Sequence, residues 1–304
     1  MKKISLALGG GGMKGFAHIG VIRQLEKEGY QIKAIAGTSA GGIVGALYSF
    51  GISIEKILEF SKSLEYSELF SRSTNDPPSL LGLGGLHKKV EKLLGDASFK
   101  NTKIKFSVTA VDIHTGEEVI IHSGKLVDAV KATSAIPGIF PAKVIADRTL
   151  IDGGVLDPVP VNLARWLFPG IPVVAVSLTP QMEEWPKIPR IDIPPYVPIP
   201  QFIMDQLNQL RLGKAMHVFI DSLDIMTNKI TDLRLKIEKP DVVIRPKVHK
   251  YTMFDKVDVD EVIQLGEIAV KNSTDQLKNM TSVSNRVNRW FKPSRPPGKF
   301  LFDG

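Results

Sequence analysis

Short apolar runs alternate with segments of helical periodicity through the first half of the chain. The runs at 4–8 and 32–36 have the length and composition of buried strands, and residues 16–28 between them carry apolar side chains at helical spacing. A strand, a helix and a second strand in this order form a βαβ unit. The sheet is therefore predicted to begin parallel, with a right-handed crossover.

The same two patterns continue to the end of the chain. Further strands are predicted at 105–111, 118–122, 144–146, 150–151, 172–178 and 241–246. Further helices are predicted at 42–48, 54–63, 87–94, 126–133, 201–236 and 259–280. Because no internal repeat and no convincing linker separates these elements, the sequence predicts a single domain over residues 1–280.

Two stretches interrupt the regular pattern. Residues 66–85 are rich in Ser, Asn, Pro and Gly with scattered leucines, which fits either a mobile, lipid-contacting lid or an ordinary packed connection. Residues 180–200 hold seven prolines interleaved with apolar side chains, which predicts an extended arm over the body or a membrane- or partner-facing element. We therefore describe 181–235 as a proline-rich arm followed by a helical insertion.

The composition is that of a folded globular protein, with 43% hydrophobic and 23% charged residues among 304. The absence of cysteine excludes disulfides and thiolate chemistry. We recognise neither a run of about 18 apolar residues nor a signal peptide. The expectation is a protein without a membrane span and with a cytoplasmic location.

The net charge of +7 is unevenly spread, because residues 281–304 form a basic tail with five basic side chains against one acidic side chain. Aromatic residues interleave with these bases. The pattern fits a solvated, flexible end, and it also fits contact with an anionic membrane, so a peripheral position at the inner membrane surface stays open. No motif of a nucleic-acid reader is recognised, and we expect no nucleic-acid partner.

The pentapeptide at 37–41, Gly-Thr-Ser-Ala-Gly, lies between a predicted strand and a predicted helix. A serine on such a sharp turn exposes its hydroxyl at the positive end of the helix, and the glycines around it leave room for the neighbouring elements. This arrangement suits nucleophilic attack on a carbonyl. Small residues at a tight turn also occur for packing alone, so Ser39 is a candidate nucleophile that needs its context.

A glycine loop at 9–15 follows the first strand. Gly10, Gly12 and Gly15 have the spacing of a dinucleotide fingerprint, but the acidic residue expected at the end of the second strand is missing, and Phe16 excludes a Walker loop. The alternative is a row of backbone N–H groups aimed at a developing oxyanion. Lys14 either adds positive potential there or is a solvated lysine.

Asp152 ends an apolar run and is followed by two glycines, so its carboxylate can approach another loop closely. The same sequence is also typical of a turn in which the aspartate bonds to its own backbone. Asp157 is a rival carboxylate, but its place before Pro158 in a rigid turn indicates a structural role.

Four segments agree in type and order with one family. Their sequences are GGGGMKG at 9–15, GTSAG at 37–41, ATSAIPGIFP at 132–141 and DGG at 152–154. Together they resemble the patatin-like phospholipases, especially compact bacterial members. The resemblance covers about residues 3 to 180, with 241–246 similar to a late strand of the family. Residues 181–235 and the basic tail match nothing recognised.

The resemblance implies a three-layer α/β/α fold with a central, mostly parallel sheet. It also implies a catalytic dyad of Ser39 and Asp152, with the amides of Gly10, Gly11 and Gly12 as the oxyanion hole. The family often has arginine where this chain has Lys14, which leaves the contribution of Lys14 to that hole open. The implied activity is hydrolysis of a lipid acyl ester through an acyl-enzyme, without a metal or cofactor.

Three rivals remain. A histidine-based triad would use His217 or His249, which follow Asp152, whereas His18 is expected to pack behind the glycine loop. A nucleotide-dependent enzyme would use the glycine loop, and a non-catalytic lipid-binding or regulatory protein would keep the fold alone. The sequence leaves open the head group, the acyl chain length and the oligomeric state.

Overall fold

The computed structural model describes residues 2–71, 79–181, 211–280 and 297–302. A mixed sheet with helices on both faces forms the body. Its strands are β1 Lys2–Leu8, β2 Tyr30–Gly37, β3 Lys105–Asp112, β4 Glu118–Ile121, β5 Lys143–Ile145, β6 Arg148–Asp152, β7 Val173–Val176, β8 Val242–Ile244 and β9 Lys299–Phe300. Its α-helices in the described ranges are α1 Ala17–Lys27, α2 Ala40–Phe50, α3 Ile54–Lys62, α4 Tyr66–Leu69, α5 Gly84–Leu94, α6 Leu126–Thr133, α7 Val161–Leu167, α8 Arg211–Glu238, α9 Val259–Asn272 and α10 Thr274–Asn279.

Hydrogen-bonded strands follow one another in the series β5-β6-β3-β2-β1-β7-β8, in which β6 and β2 both pair with the same edge of β3. Strand β4 pairs with the opposite edge of β3, and β9 pairs with β4. The central strands β3, β2, β1, β7 and β8 run parallel, as the predicted βαβ start requires, while β4 and β6 are antiparallel to β3. The prediction of a three-layer, mostly parallel α/β fold is confirmed.

One edge of β3 holds two strands end to end. Gly37 of β2 pairs with Val108, and Asp152 of β6 pairs with Ala110. Val108 and Ala110 both pair with β4 on the opposite edge, so β2 and β6 must share the remaining one. The last residue of β6 therefore lies next to the residues that follow β2.

The two faces of the sheet differ in side-chain size. On one face Leu6, Leu8 and Ile35 join the large core under α1, α2 and α6. On the other face the strands present alanines such as Ala34 and Ala36, against which α7 packs. Period-two alternation explains this division, because neighbouring residues of a strand point to opposite faces.

The predicted elements are found within a few residues of their bounds, with the long helix α8 described from Arg211 onward. Two helices were missed, the short helix α4 within the irregular stretch 66–85 and helix α7 after β6. Of the tail, the described residues 297–302 pack against the body, because β9 pairs with β4 and Leu301 is buried. Residues 281–296 and the proline-rich arm at 182–200 lie outside the described residues. In the parts of the chain that are described, no helix is long and apolar enough to cross a bilayer.

Candidate active site

Ser39 and Asp152 meet where β2 and β6 abut along β3. Both side chains are buried, and the Ser39 hydroxyl is close enough to the Asp152 carboxyl to lower its pKa. The contact follows from topology, since Ser39 comes two residues after the end of β2 and Asp152 is the last residue of β6. The family resemblance implied these two residues as a pair, and the shared edge of β3 brings them together.

The backbone at Ser39 is strained. Its φ of 52° and ψ of −122° lie in a region that L-residues rarely adopt, at the turn from β2 into α2. Its N–H donates to Thr133 Oγ1 at 3.0 Å, and the Thr133 hydroxyl donates to the carbonyl of Thr109 at 2.7 Å. These bonds hold the turn in a conformation that presents the hydroxyl at the N-terminus of α2.

Asp152 is held from two sides. Its N–H donates to the Ala135 carbonyl at 2.9 Å, and its Oδ1 accepts from the Gly154 N–H at 2.7 Å. Burial raises the pKa of the Asp152 carboxyl to about 6, while hydrogen bonds from Ser39 and Gly154 partly offset this effect. The bond to Gly154 is the local turn expected for Asp-Gly, so both interpretations of Asp152 hold together.

The start of the glycine loop is pinned to the body. The Gly9 carbonyl accepts from His18 Nε2 at 2.7 Å, and the Gly10 N–H donates to the Pro158 carbonyl at 3.0 Å. The prediction that Gly10 contributes an oxyanion donor is therefore corrected, because its amide is already engaged. Gly10 instead provides space: a Cβ there would lie 3.3 Å from Ser39 Cβ.

Gly11 and Gly12 remain as candidate oxyanion donors. Among the described residues, neither of their N–H groups has an acceptor. Gly12 has a φ of +58°, and a Cβ at this position would lie 2.2 Å from the Met253 carbonyl oxygen. Only glycine fits there, because both the conformation and the close approach exclude a side chain.

Lys14 is not a solvated lysine, since it is 8% exposed. Its charge acts on Asp224 of α8, where it opposes the rise in that carboxyl's pKa that burial causes. Among the described residues no hydrogen bond or ion pair joins Lys14 to Ser39 or Asp152. Its place in the oxyanion hole stays a prediction without a supporting contact.

An apolar cavity of about 800 Å³, counting its open mouth, begins at Ser39. One face of α2 lines it over two turns, and α1, α3 and α5 contribute further walls. Apolar side chains from 69–70 and 83–86 complete the cavity lining. These described parts of the irregular stretch therefore form part of the cavity wall. Residues 72–78 lie outside the described residues.

The described histidines lie elsewhere or are neutral. Burial lowers the pKa of His18 to about 4, so its Nε2–H donates to the Gly9 carbonyl as a neutral imidazole, behind the glycine loop as predicted. His114 and His122 contact Thr149 and the rings of Trp166 and Phe300. In the described part of the chain, no imidazole is hydrogen-bonded to Ser39 or Asp152. The side chain of His217 lies outside it.

His87 is a cavity neighbour that the sequence did not single out. Its Nε2 lies 3.2 Å from Ser134 Oγ, and that hydroxyl donates to the Val130 carbonyl. The imidazole is therefore the donor to Ser134 and cannot act as its base. Burial and the charges of Lys131 and Lys143 lower its pKa to about 3, which keeps it neutral.

Sequence reasoning missed the residues that shape the site from a distance. Thr133 fixes the Ser39 amide, Pro158 accepts from Gly10, and Met253 covers Gly12. Thr133 lies in the 132–141 segment that supports the family resemblance, and Pro158 follows the rival carboxylate Asp157. Met253 carried no signal, since it lies in an irregular loop after β8. No cluster of His, Asp and Glu fit to hold a metal occurs in the ranges described.

A family model described as patatin-like phospholipase matches residues 6–165. An uncharacterised NTE family protein of Mycobacterium tuberculosis is 34% identical over 164 residues, covering 52% of this chain and 44% of that protein. A lysophospholipase NTE1 of Pyricularia oryzae is 25% identical over 283 residues, covering 87% of this chain and 18% of that protein. This chain thus spans less than half the length of these relatives.

The crystal structure of VipD from Legionella pneumophila is similar to this fold, with a TM-score of 0.52 and 12% sequence identity. The match covers 91% of this chain and 67% of that chain. At this identity the likeness concerns the fold alone.

Proposed function

This chain belongs to the patatin-like phospholipase family, and on that premise we propose that it hydrolyses an acyl ester of a lipid, with Ser39 as nucleophile and Asp152 as base. The observation that carries the proposal is that a serine hydroxyl lies beside a buried carboxylate and lines an apolar cavity. A hydroxyl alone is a weak nucleophile, and an adjacent base is what activates it. The cavity supplies a place for a hydrocarbon chain.

In the first half of the reaction, Ser39 Oγ attacks the ester carbonyl carbon while Asp152 accepts the hydroxyl proton. The carbonyl oxygen becomes an oxyanion, to which the N–H groups of Gly11 and Gly12 donate. When the tetrahedral intermediate collapses, the C–O bond to the alcohol breaks and Asp152 returns the proton to the leaving oxygen. The acyl group remains on Ser39 as an ester.

In the second half, a water molecule attacks the acyl carbon and gives its proton to Asp152. The second tetrahedral intermediate expels Ser39 Oγ, which takes the proton back, and the fatty acid leaves. The pKa of about 6 for Asp152 suits both steps, because the carboxyl is ionised at neutral pH and is still basic enough to accept a proton.

The cavity supports a long acyl chain as the bound group. Ala40, Ile43, Val44 and Leu47 share one face of α2 and line the cavity from Ser39 inward. From Ala40 to Leu47 the helix rises about 10 Å, and Ile57 of α3 lines the cavity as well. A lysophospholipid, a phospholipid and a neutral ester all present such a chain.

Two exposed apolar side chains support capture of the substrate from a lipid surface. Leu80 and Phe219 are 48% and 40% exposed, and both adjoin Gly138: the Leu80 N–H donates to its carbonyl, and the Phe219 ring lies 3.7 Å from the position of a Cβ there. Gly138 sits between Ile136 and Phe140, which line the cavity. Sedimentation with anionic and zwitterionic vesicles tests this contact.

The nucleotide-dependent alternative is disfavoured by the glycine loop itself. The close approach that Gly12 permits is taken by the Met253 carbonyl, where a bound pyrophosphate would have to lie. Lipid binding alone would require the cavity but not the strained turn at Ser39. Because such a conformation costs free energy, its presence disfavours a non-catalytic lipid-binding protein.

The test is hydrolysis of p-nitrophenyl esters of two to sixteen carbons by wild type and Ser39→Ala, combined with labelling by a fluorophosphonate. We expect turnover that favours long chains, and an adduct on the peptide that contains Ser39. His114→Ala, at a surface site away from the cavity, serves as the matched control. A stable protein that neither turns over esters nor takes up the label would rule out the esterase.

A further inference from the structure

A buried ion pair joins the loop that follows the proposed base, Asp152, to helix α8. Asp157 is fully buried, and its Oδ2 is 2.6 Å from Arg234 of α8. Arg234 Nε also lies 2.7 Å from Glu238, one turn further along the helix. The pair ties α8 to residues 153–160, which we name the base loop.

The base loop contacts each part of the proposed machinery. The Asp157 carbonyl accepts from the Thr38 hydroxyl at 2.8 Å, beside the nucleophile, and the Pro158 carbonyl accepts from the Gly10 N–H at 3.0 Å. At its start, the Gly154 N–H donates to Asp152 at 2.7 Å. A shift of this loop would therefore move the nucleophile turn, the glycine loop and the base together.

We propose that Arg234 is a positioning residue: its ion pair with Asp157 holds the base loop in the register that brings Ser39, Asp152 and the glycine loop into a reactive arrangement. The proposal rests on the proposed function for its catalytic consequence, but the positioning of the loop can be measured without it. A misplacement of about 1 Å in such a site can lower a rate by about 100-fold.

The charges around Arg234 explain why an arginine is needed. Glu118 of β4 lies 3.5 Å from the guanidinium, so Arg234 faces the carboxyls of Asp157, Glu118 and Glu238 at once. A planar fork with several donors can serve three acceptors, whereas the single ammonium of lysine serves fewer. Burial and the neighbouring acids raise the pKa of Glu118 to about 8 and that of Glu238 to about 7.

The helix end that presents Arg234 is itself anchored. Glu238 Oε2 accepts from the Asn162 N–H at 2.8 Å, and the Glu238 carbonyl accepts from Arg165 of α7 at 2.7 Å. These bonds join α8 to α7 without touching the base loop. Arg165 is therefore a matched control: its loss loosens the same helix but leaves the Asp157 ion pair intact.

Arg234→Met removes the charge and keeps most of the apolar length. We expect kcat for a long-chain ester to fall about 10- to 100-fold with KM within about twofold of wild type, because the cavity is untouched. Arg234→Lys should recover part of the loss. Arg165→Met, assayed at a temperature where both variants are folded, should keep kcat within about threefold of wild type.

Hydrogen exchange of peptides covering 150–160 gives a reading independent of catalysis. We expect faster exchange in Arg234→Met than in Arg165→Met or wild type. If Arg234→Met does not fold, the double variant Arg234→Met/Asp157→Asn leaves neither charge without its partner and should show the same faster exchange and loss of kcat.

Unchanged kcat and exchange in a folded Arg234→Met protein would overturn the proposal. So would an equal loss of kcat in Arg165→Met, since general loosening of α8 would then be enough. Wild type without esterase activity, together with faster loop exchange in Arg234→Met, would instead overturn the proposed function and support the positioning of the loop.

Discussion

Asp152 is the last residue of β6 and Asp157 lies five residues later in the base loop, and both are buried carboxyls whose pKa burial raises. Their partners differ. Asp152 faces the hydroxyl of Ser39 and the N–H of Gly154, which are neutral donors, while Asp157 faces the guanidinium of Arg234.

The difference shows that two buried aspartates can have different roles because one faces neutral donors and the other faces a cation. A carboxylate held by neutral donors keeps its affinity for a proton and can exchange it with a hydroxyl. A carboxylate held by an arginine is stabilised as an anion and anchors the backbone that carries it. We therefore expect changes on the Asp152 side to affect rate, and changes on the Asp157 side to affect stability first.

The largest effect is expected for Asp152→Asn. The amide keeps the shape but cannot accept the Ser39 proton, so kcat/KM should fall by about 10³- to 10⁴-fold. The melting temperature should not fall, because the change removes a buried charge that has no cationic partner in the described part of the chain. Ester turnover and thermal unfolding measured on the same samples check this. Near-normal turnover would transfer the role of base to another group.

The pH dependence of wild type tests the same carboxyl without a mutation. Asp152 must be ionised to act, so kcat/KM should fall below a pKa of about 6 and decline about tenfold per pH unit further down. At pH 4 the expected loss is about 100-fold. A profile that stays flat down to pH 4.5 would contradict a base in this environment.

Asp157→Asn should show the opposite balance. It leaves the guanidinium of Arg234 without its nearest anion, and we expect the free energy of unfolding to fall by about 2–4 kcal/mol. Urea unfolding at pH 7 measures this loss, with Asp152→Asn as the matched control five residues away. A stability equal to wild type would mean that Glu118 and Glu238 satisfy Arg234 by themselves.

Glu118→Gln tests whether a proton is held among the carboxyls around Arg234. The folded-state pKa of Glu118, about 8, lies above its ordinary value, so this group costs stability as the pH rises from about 4.5 to about 8. The amide removes that cost. The variant should match wild type near pH 5 and become increasingly more stable than wild type as the pH rises to about 8. Parallel stability curves would contradict a proton held at this site.

The smallest effect concerns strain at the nucleophile. Ser39→Gly and Ser39→Ala both lack the hydroxyl, but only glycine adopts a φ of 52° with a ψ of −122° at little cost. We expect Ser39→Gly to be about 1 kcal/mol more stable than Ser39→Ala, despite the greater freedom of its unfolded chain. Chemical unfolding of the two inactive proteins compares them directly, and the reverse order would argue against stored strain.

Much of the fold could be predicted because its signals are local. Helix α6, for example, begins and ends at the predicted residues, since its apolar spacing is regular. Helix α4 and strand β9 could not be predicted, because four and two residues are too short to show a period. β9 exists only because the edge of β4 is there to pair with it.

The candidate site divides in the same way. Ser39, Asp152 and the glycine loop stood out through their local sequence, including the glycines that a sharp turn requires. Arg234 did not, since an arginine within a long polar helix is ordinary on sequence grounds. The same limit applies to Gly10, whose amide was predicted to be free and proved to be bonded to Pro158.

The sequence by itself determined the elements, their order and the residue types able to do ester chemistry, because these depend on neighbours within a few positions. The tertiary structure alone decided that β2 and β6 share one edge of β3 and that Asp157 meets an arginine. It also decided that the amides of Gly11 and Gly12 have no acceptor among the described residues. Each of these depends on strand register and on which distant backbone a group meets. Such pairings join segments far apart in the chain, and no local pattern encodes them.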